Sequence, residues 1–186
     1  MKNIYKVLIA TLFVGVTANT SLAAEGEKYA VFDLGQVSVP DLCKGSGFSC
    51  DTTSMGYRFG MGYQVNPNIG VEVGYITGIS MEAKSVSAEA TASGIHFAAI
   101  AAMPLDEKSE VFGKLGMANI VAEASGGGLS VSHDNSNMTF GFGARYFLDE
   151  QISIRVSYED FGTMTVDTSL DGSKVSYFSA GLLYKF

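Results

Sequence analysis

The feature that most constrains the fold is the alternation of the last twelve residues, 175–186. One face is apolar throughout and carries Phe178, Ala180, Leu182, Tyr184 and Phe186. The opposite face carries Tyr177, Ser179, Gly181, Leu183 and Lys185. A period of two over this length predicts a β-strand rather than a helix. An open edge strand with such an apolar face promotes aggregation, so an ordinary exposed edge strand is disfavoured.

Seven earlier segments alternate in the same way. They lie near residues 29–37, 53–65, 69–79, 93–103, 110–122, 138–148 and 152–161. In the interior of these strands, every charged residue falls on one of the two faces, and the opposite face carries none. The charged residues are Asp33, Arg58, Glu72, Lys114, Arg145, Arg155, Glu159 and, in the last strand, Lys185.

This sorting of charge predicts a closed sheet in a membrane. Each segment has about ten residues, the length that a tilted strand needs to cross a bilayer. A sheet in lipid must close, because every backbone polar group has to be paired within the protein. The predicted fold is therefore all-β, an eight-stranded antiparallel transmembrane up-and-down β-barrel. The fourth segment is the weakest of the eight, since its inner face is mostly apolar and by itself also fits a helix.

The start of the chain predicts a signal peptide, residues 1–23, followed by a barrel domain, residues 24–186. Lys2 and Lys6 precede an apolar run at residues 7–16, and small residues lead up to Ala23. The apolar run is too short for a spanning helix, which needs roughly 20 residues. Cleavage is expected after Ala23, with Ala24 as the alternative.

Composition excludes several classes of protein. The formal net charge is −7, which argues against a nucleic-acid-binding protein. The hydrophobic share of 47% is too high for a disordered chain. The two cysteines, Cys43 and Cys50, lie close together in a Gly/Ser-rich segment and predict one disulfide in an oxidising compartment. A metal site would need further Cys or His residues near them.

The connections between the segments differ in length. Residues 66–68, 106–109 and 149–151 are short and have turn chemistry, whereas 38–52, 80–91, 123–137 and 162–173 are longer. This asymmetry is typical of periplasmic turns and extracellular loops, and it places both chain ends in the periplasm.

Together these features resemble the OmpA/OmpX-like outer-membrane β-barrel family. The chain end, with Gly181, Tyr184 and Phe186, resembles the signal by which such barrels are recognised for assembly. The resemblance implies a location in the bacterial outer membrane and contact with its lipid and lipopolysaccharide. It also implies use of the barrel-assembly machinery and a monomeric state. The peptidoglycan-binding domain of OmpA itself is expected to be absent.

The charges of the predicted lumen allow two interpretations. In the first they pair across a narrow interior and plug it, because buried charges must be paired. Asp33 is then expected near Arg58, and Glu72 near Lys114, Arg145 or Arg155. In the second they line a small gated ion path, whose excess of basic groups would favour anions. The plug is the preferred interpretation.

Enzymatic chemistry has little support in the sequence. Lipid A-modifying barrel enzymes need a His beside a Ser or a carboxylate, and the chain has only His96 and His133. His96 is expected to be a hydrogen-bonding residue of the lumen. His133 lies in Ser132-His133-Asp134, and neighbouring side chains in a strand or loop diverge too far to form a triad.

We therefore predict a non-enzymatic outer-membrane barrel without a cofactor. Its role is structural or one of surface interaction, with an extracellular ligand or a host surface contacted through the loops. The alternatives are a small porin-like channel, an OmpW-like passage for small hydrophobic molecules and, last, a lipid A-modifying enzyme.

Overall fold

A computed structural model describes residues 25–40, 52–83, 88–126, 129–164 and 173–186. The described residues form eight strands in one closed antiparallel barrel in which each strand pairs with its neighbours in the sequence. The strands are β1 Lys28–Ser38, β2 Thr53–Asn66, β3 Ile69–Ala83, β4 Ala88–Pro104, β5 Ser109–Gly126, β6 Leu129–Phe147, β7 Ile152–Met164 and β8 Ser173–Lys185. Within these ranges, no helix is long and apolar enough to cross a membrane.

The first and last strands close the barrel. β1 pairs with β8 in antiparallel register from Tyr29 opposite Lys185 to Ser38 opposite Ser176. The predicted fold class is confirmed, and the ambiguous fourth segment is a strand that pairs with β3 and β5 along its length.

Asx turns form the three short connections. The side-chain oxygen Oδ1 of Asn66, Asp106 and Asp149 accepts a hydrogen bond from the backbone N–H two residues further on, at 2.9, 2.8 and 2.8 Å. The bond from Lys108 N–H lowers the pKa of Asp106, because it stabilises the charged carboxylate. We call this end of the barrel the short-turn end and the opposite end the long-loop end.

Four strands extend further at the long-loop end than the sequence predicted. Residues 80–91 and 123–137 were expected to be loops, but β3 and β4 pair as far as Ala83 opposite Ala88. β5 and β6 pair as far as Gly126 opposite Leu129. Cross-strand pairing in the hairpins outweighs the Ser, Gly and Ala content, which by itself indicates a loop. The expectation of two long loops at these positions was therefore wrong.

The two faces of the barrel have opposite chemistry. Large apolar side chains point outward and are exposed, among them Phe142 at 63% and Phe97 at 58%. The charged side chains of the strand interiors point inward and are buried. A surface of this kind is stable only against lipid.

The interior has three layers. Ten buried residues form the outer apolar cluster at the long-loop end: Val37, Val39, Ile76, Ile79, Met81, Ala118, Ile120, Phe161, Val175 and Tyr177. Charged side chains fill the middle. Tyr29, Val31 and Leu183 form a smaller apolar cluster towards the short-turn end.

Candidate functional site

Asp33 lies at the centre of the charged layer and contacts two arginines. It is directly opposite Arg58 in the β1–β2 ladder, and Arg58 Nε donates to Asp33 Oδ2 at 2.8 Å. Arg155 reaches it from β7 with two nitrogens, at 2.8 Å to Oδ1 and 2.7 Å to Oδ2. Two parallel bonds of this kind fix both the position and the orientation of the guanidinium group.

Glu72 joins two further strands, β3 and β5, to this centre. Its carboxylate accepts from Arg155 Nη1 at 2.6 Å and from Lys114 Nζ at 3.2 Å. Tyr29 donates its hydroxyl to Glu72 Oε1 at 3.0 Å. Glu72 therefore meets Lys114 and Arg155 among the three partners that the sequence allowed.

Glu159 completes the network on the side of the outer apolar cluster. It forms an ion pair with Arg58 Nη1 and lies 3.6 Å from Lys114 Nζ. His96 Nε2 lies 3.2 Å from Glu159 Oε1 and 3.1 Å from Thr139 Oγ1. The side chains of Asp33, Arg58, Arg155 and Glu159 are almost wholly inaccessible to solvent, so their charges are neutralised mainly by one another.

Arg145 is the one of the three alternatives that does not meet Glu72. It pairs instead with Glu110 at 3.0 Å, and its guanidinium lies over the rings of Tyr29, Phe112 and Phe147. The sequence did not indicate Glu110 as a lumen charge because it is the second residue of β5, next to the short turn that precedes this strand. It does, however, share the inward parity of Phe112 and Lys114, which is a usable signal.

The pairing of Glu110 also removes the expected excess of basic groups. The described lumen has four buried acidic residues, Asp33, Glu72, Glu110 and Glu159, and four buried basic ones, Arg58, Lys114, Arg145 and Arg155. Lys185, at the short-turn end, has its own partner in Glu27 at 2.9 Å. The charges balance, so the expected preference for anions has no basis in the interior.

Tyr177 is the member of the outer apolar cluster that contacts the charged layer. Its ring lies under the guanidinium of Arg58, with 5.5 Å from Cζ to the ring centroid, and its hydroxyl donates to the Gly56 carbonyl at 3.2 Å. Phe161 packs against Tyr177 in an edge-to-face arrangement, with ring centroids 6.4 Å apart. The charges are thus covered by packed apolar side chains towards the long-loop end.

The two histidines lie apart and in different surroundings. His96 is buried in the lumen, whereas His133 is exposed on the extension of β6, opposite Ala122. Thr139 and Glu159 both approach the same nitrogen of His96, Nε2. A relay needs the acid and the nucleophile on different ring nitrogens, so these three groups do not have the geometry of a triad. Among the described residues, no cluster of His, Cys, Asp or Glu is placed to hold a metal ion.

The residues of the expected assembly signal have two different surroundings. Tyr184 and Phe186 point outward and are exposed on the lipid-facing side. Gly181 faces the lumen, where a Cβ atom would overlap Asp33 Oδ1 and the Phe32 carbonyl oxygen. Cys43, Cys50 and the signal peptide lie outside the described residues.

A closed antiparallel barrel with an apolar exterior and a charged interior defines the class of transmembrane β-barrels. The sequence profile of the outer membrane protein beta-barrel domain family matches residues 8–186. The chain belongs to this family and is a bacterial outer-membrane protein. Comparison with curated proteins finds no match.

Solved structures show the same fold at low sequence identity. Ail, the attachment invasion locus protein of Yersinia pestis, is 22% identical, with a TM-score of 0.59 over 87% of this chain and 99% of that one. Neisserial surface protein A is 15% identical, with a TM-score of 0.63 over 88% and 99%. The N-terminal β-barrel domain of Pseudomonas aeruginosa OprF is 10% identical, with a TM-score of 0.61 over 88% and 100%.

Proposed function

We propose that this protein is a non-enzymatic outer-membrane scaffold with a closed lumen, which acts through the surface that it presents outside the cell. The observation that carries this proposal is the pairing of the lumen charges. Asp33, Glu72 and Glu159 each contact at least two cationic groups of the interior. An ion that entered would have to displace contacts that compensate buried charges, which is costly.

The extended hairpins support a role in surface interaction. Short turns face the periplasm in barrels of this family, so the long-loop end is the extracellular one. There the β5–β6 hairpin carries exposed polar side chains, including Glu123, Ser132, His133 and Asp134. A rigid barrel that carries polar projections is a common arrangement for recognition. Ail is described as an attachment invasion locus protein, and we propose a comparable surface role here.

The channel and enzyme alternatives find less support. A passage for hydrophobic molecules needs an open apolar path, whereas the apolar side chains of the outer mouth are buried against one another. A lipid A-modifying enzyme needs an accessible catalytic group, and His96 is 1% exposed. His133 is exposed but has no described partner group that could serve as its nucleophile or acid.

The last strand and the lipid-facing exterior indicate further partners of the protein. We propose that Tyr184 and Phe186 serve in recognition by the barrel-assembly machinery, since both are exposed on the last strand. We also propose that the folded barrel is a monomer surrounded by outer-membrane lipid. The pair Cys43 and Cys50 is proposed to clip the first extracellular loop with a disulfide.

Swelling of liposomes in solutions of small sugars and amino acids tests the closed lumen. We expect liposomes that contain the wild-type barrel to swell no faster than empty ones. Glu72→Ala should admit the smallest solutes, because it removes an acceptor for Arg155 and Lys114. Glu150→Ala, in an exposed periplasmic turn, is the matched control and should stay closed. Swelling with the wild-type protein at rates typical of a porin would overturn the proposal.

A further inference from the structure

His96 is a buried titratable side chain that stands outside the charge balance of the lumen. The four acidic and four basic residues of the described lumen neutralise one another, and an uncharged His96 preserves this balance. Protonation of the ring would give the lumen one cation in excess. A buried charge without its own counter-charge is costly, so the state of this ring has consequences for the whole interior.

The position of His96 is the boundary between the charged layer and the outer apolar cluster. Across the β4–β5 ladder it lies opposite Ala118, a member of that cluster. The ring centroids of His96 and Phe161, another member, are 5.7 Å apart. In the charged layer, His96 Nε2 lies 3.2 Å from Glu159 Oε1. A charge on this ring would therefore act directly on the side chains that close the long-loop end.

The groups around His96 come from all the strands that pack against it. The titratable groups that interact with its ring are Arg58 of β2, Glu72 of β3, Lys114 of β5 and Glu159 of β7. From β6, Thr139 contributes an uncharged hydroxyl at 3.1 Å from Nε2. From β8, Tyr177 packs against the same Phe161 ring, and its hydroxyl is bonded to a backbone carbonyl.

Glu159 is the acidic residue that contacts His96, and other cations already share it. Glu159 Oε2 forms an ion pair with Arg58 and lies 3.6 Å from Lys114 Nζ. Glu159 Oε1 has no hydrogen bond to the described residues, so a protonated His96 would compete for this carboxylate as its third cation. Like charges repel strongly at such distances in a poorly polarisable interior. The imidazolium is better accommodated where water can solvate it.

From this arrangement we infer that His96 is a proton-sensitive switch, whose protonation releases the packing of Phe161 and opens the lumen to small ions. The inference rests on the proposed closed lumen and adds the condition under which that lumen opens. At neutral pH the uncharged ring packs with Phe161 and the lumen is closed. Acid favours conformations in which the ring reaches water, because a proton shifts an equilibrium toward the state that binds it better.

Single-channel recording of the refolded barrel in planar bilayers tests this switch. The currents are measured in potassium chloride at about pH 7.5 and about pH 5, on either side of the ordinary histidine pKa of about 6.5. The wild type should show no steady openings at the higher pH. At the lower pH its open probability should rise by up to about 30-fold, the ratio of charged to uncharged histidine in water at that pH.

Variants of the two histidines separate the switch from other effects of acid. His96→Gln keeps a hydrogen-bonding side chain that cannot be protonated, so its open probability should be the same at both pH values. His133→Gln, at the exposed histidine of β6, is the matched control and should open at the lower pH like the wild type. The heat-dependent gel shift checks folding at both pH values, and His96→Asn replaces His96→Gln if the latter does not fold.

The outcomes distinguish failure of the switch from failure of the closed lumen. Steady openings of the wild type at the higher pH would contradict the closed lumen itself. A wild type that is silent at both pH values would overturn the switch and leave the closed lumen intact. Equal opening of the wild type and His96→Gln at the lower pH would also overturn the switch, since lumen carboxylates and not His96 would then respond to acid.

Discussion

Single residues in the lumen are constrained from several sides. Asp33 contacts Arg58 and Arg155, and it also lies against the backbone of β8 at Gly181. Loss of one member of a buried charged network leaves its partners uncompensated, which typically costs about 3–5 kcal/mol. The network is therefore sensitive to the volume of its neighbours as well as to its own charges.

Substitution of Gly181 tests this sensitivity. Gly181→Ala should lower the free energy of unfolding by about 3 kcal/mol, because the new methyl group displaces the Asp33 carboxylate from its two arginines. The measurement is equilibrium unfolding in urea of barrels refolded without assembly machinery, so that any effect on the assembly signal is excluded.

Gly113→Ala is the matched control for this experiment. An added Cβ at Gly113 would meet only the Gly141 carbonyl, at 4.0 Å. Its stability should stay unchanged or rise by up to about 1 kcal/mol, the usual gain when alanine replaces glycine in a strand. Equal stability of the two variants would show that the close approach of Asp33 to Gly181 does not constrain the lumen.

The sequence predicted which residues face the lumen better than it predicted their partners. Two-residue alternation is enough to orient Asp33, Arg58 and Glu72, and the adjacent strands of a hairpin bring the first two together. The choice among Lys114, Arg145 and Arg155 for Glu72 depends on the stagger between strands that are distant in the sequence. No local pattern contains that information, so the sequence left the three as alternatives, and the structure shows Lys114 and Arg155.

At the scale of the strands, type and order were predictable but the outer ends were not. Each transmembrane part has a strong alternation, because lipid on one side and a packed lumen on the other select opposite residues. Above the membrane both faces of β6 are exposed, as at Ser132, His133 and Asp134. Without a buried face the alternation disappears, and only cross-strand pairing maintains the strand.

Shortening the β5–β6 hairpin tests this division between barrel and extension. Replacement of residues 123–132 by Asn-Gly joins Ala122 to His133, which already face each other across the ladder. The midpoint of the heat-dependent gel shift should stay within about 2 °C of the wild type, since none of the described residues removed belongs to a buried cluster.

A longer deletion in the same hairpin is the control for the shortened variant. Replacement of residues 117–138 joins Gly116 to Thr139, which are also cross-strand partners, but it removes Ala118 and Ile120 from the outer apolar cluster. This variant should lose most of its heat resistance. If the shorter replacement destabilised the barrel as strongly, the extension would be part of the folding unit rather than a projection from it.

At the scale of the whole molecule, the barrel separates three environments. Lipid surrounds the apolar exterior, the hairpins of the long-loop end meet water, and the lumen is filled by eight buried charges of balanced sign. Apolar clusters lie on both sides of Asp33, Glu72, Glu159 and the basic groups that contact them. This layered interior is the physical reason to assign function to the outer surfaces of the protein and not to its centre.

The most direct test of the closed lumen is the single-channel conductance of the folded wild-type barrel in a planar bilayer, after its heat-dependent gel shift has confirmed folding. The balanced pairing of Asp33, Glu72 and Glu159 with Arg58, Lys114 and Arg155 predicts a silent membrane, with no steady openings in potassium chloride. Steady ion-selective openings would contradict the account and would make the same charges the lining of a pore.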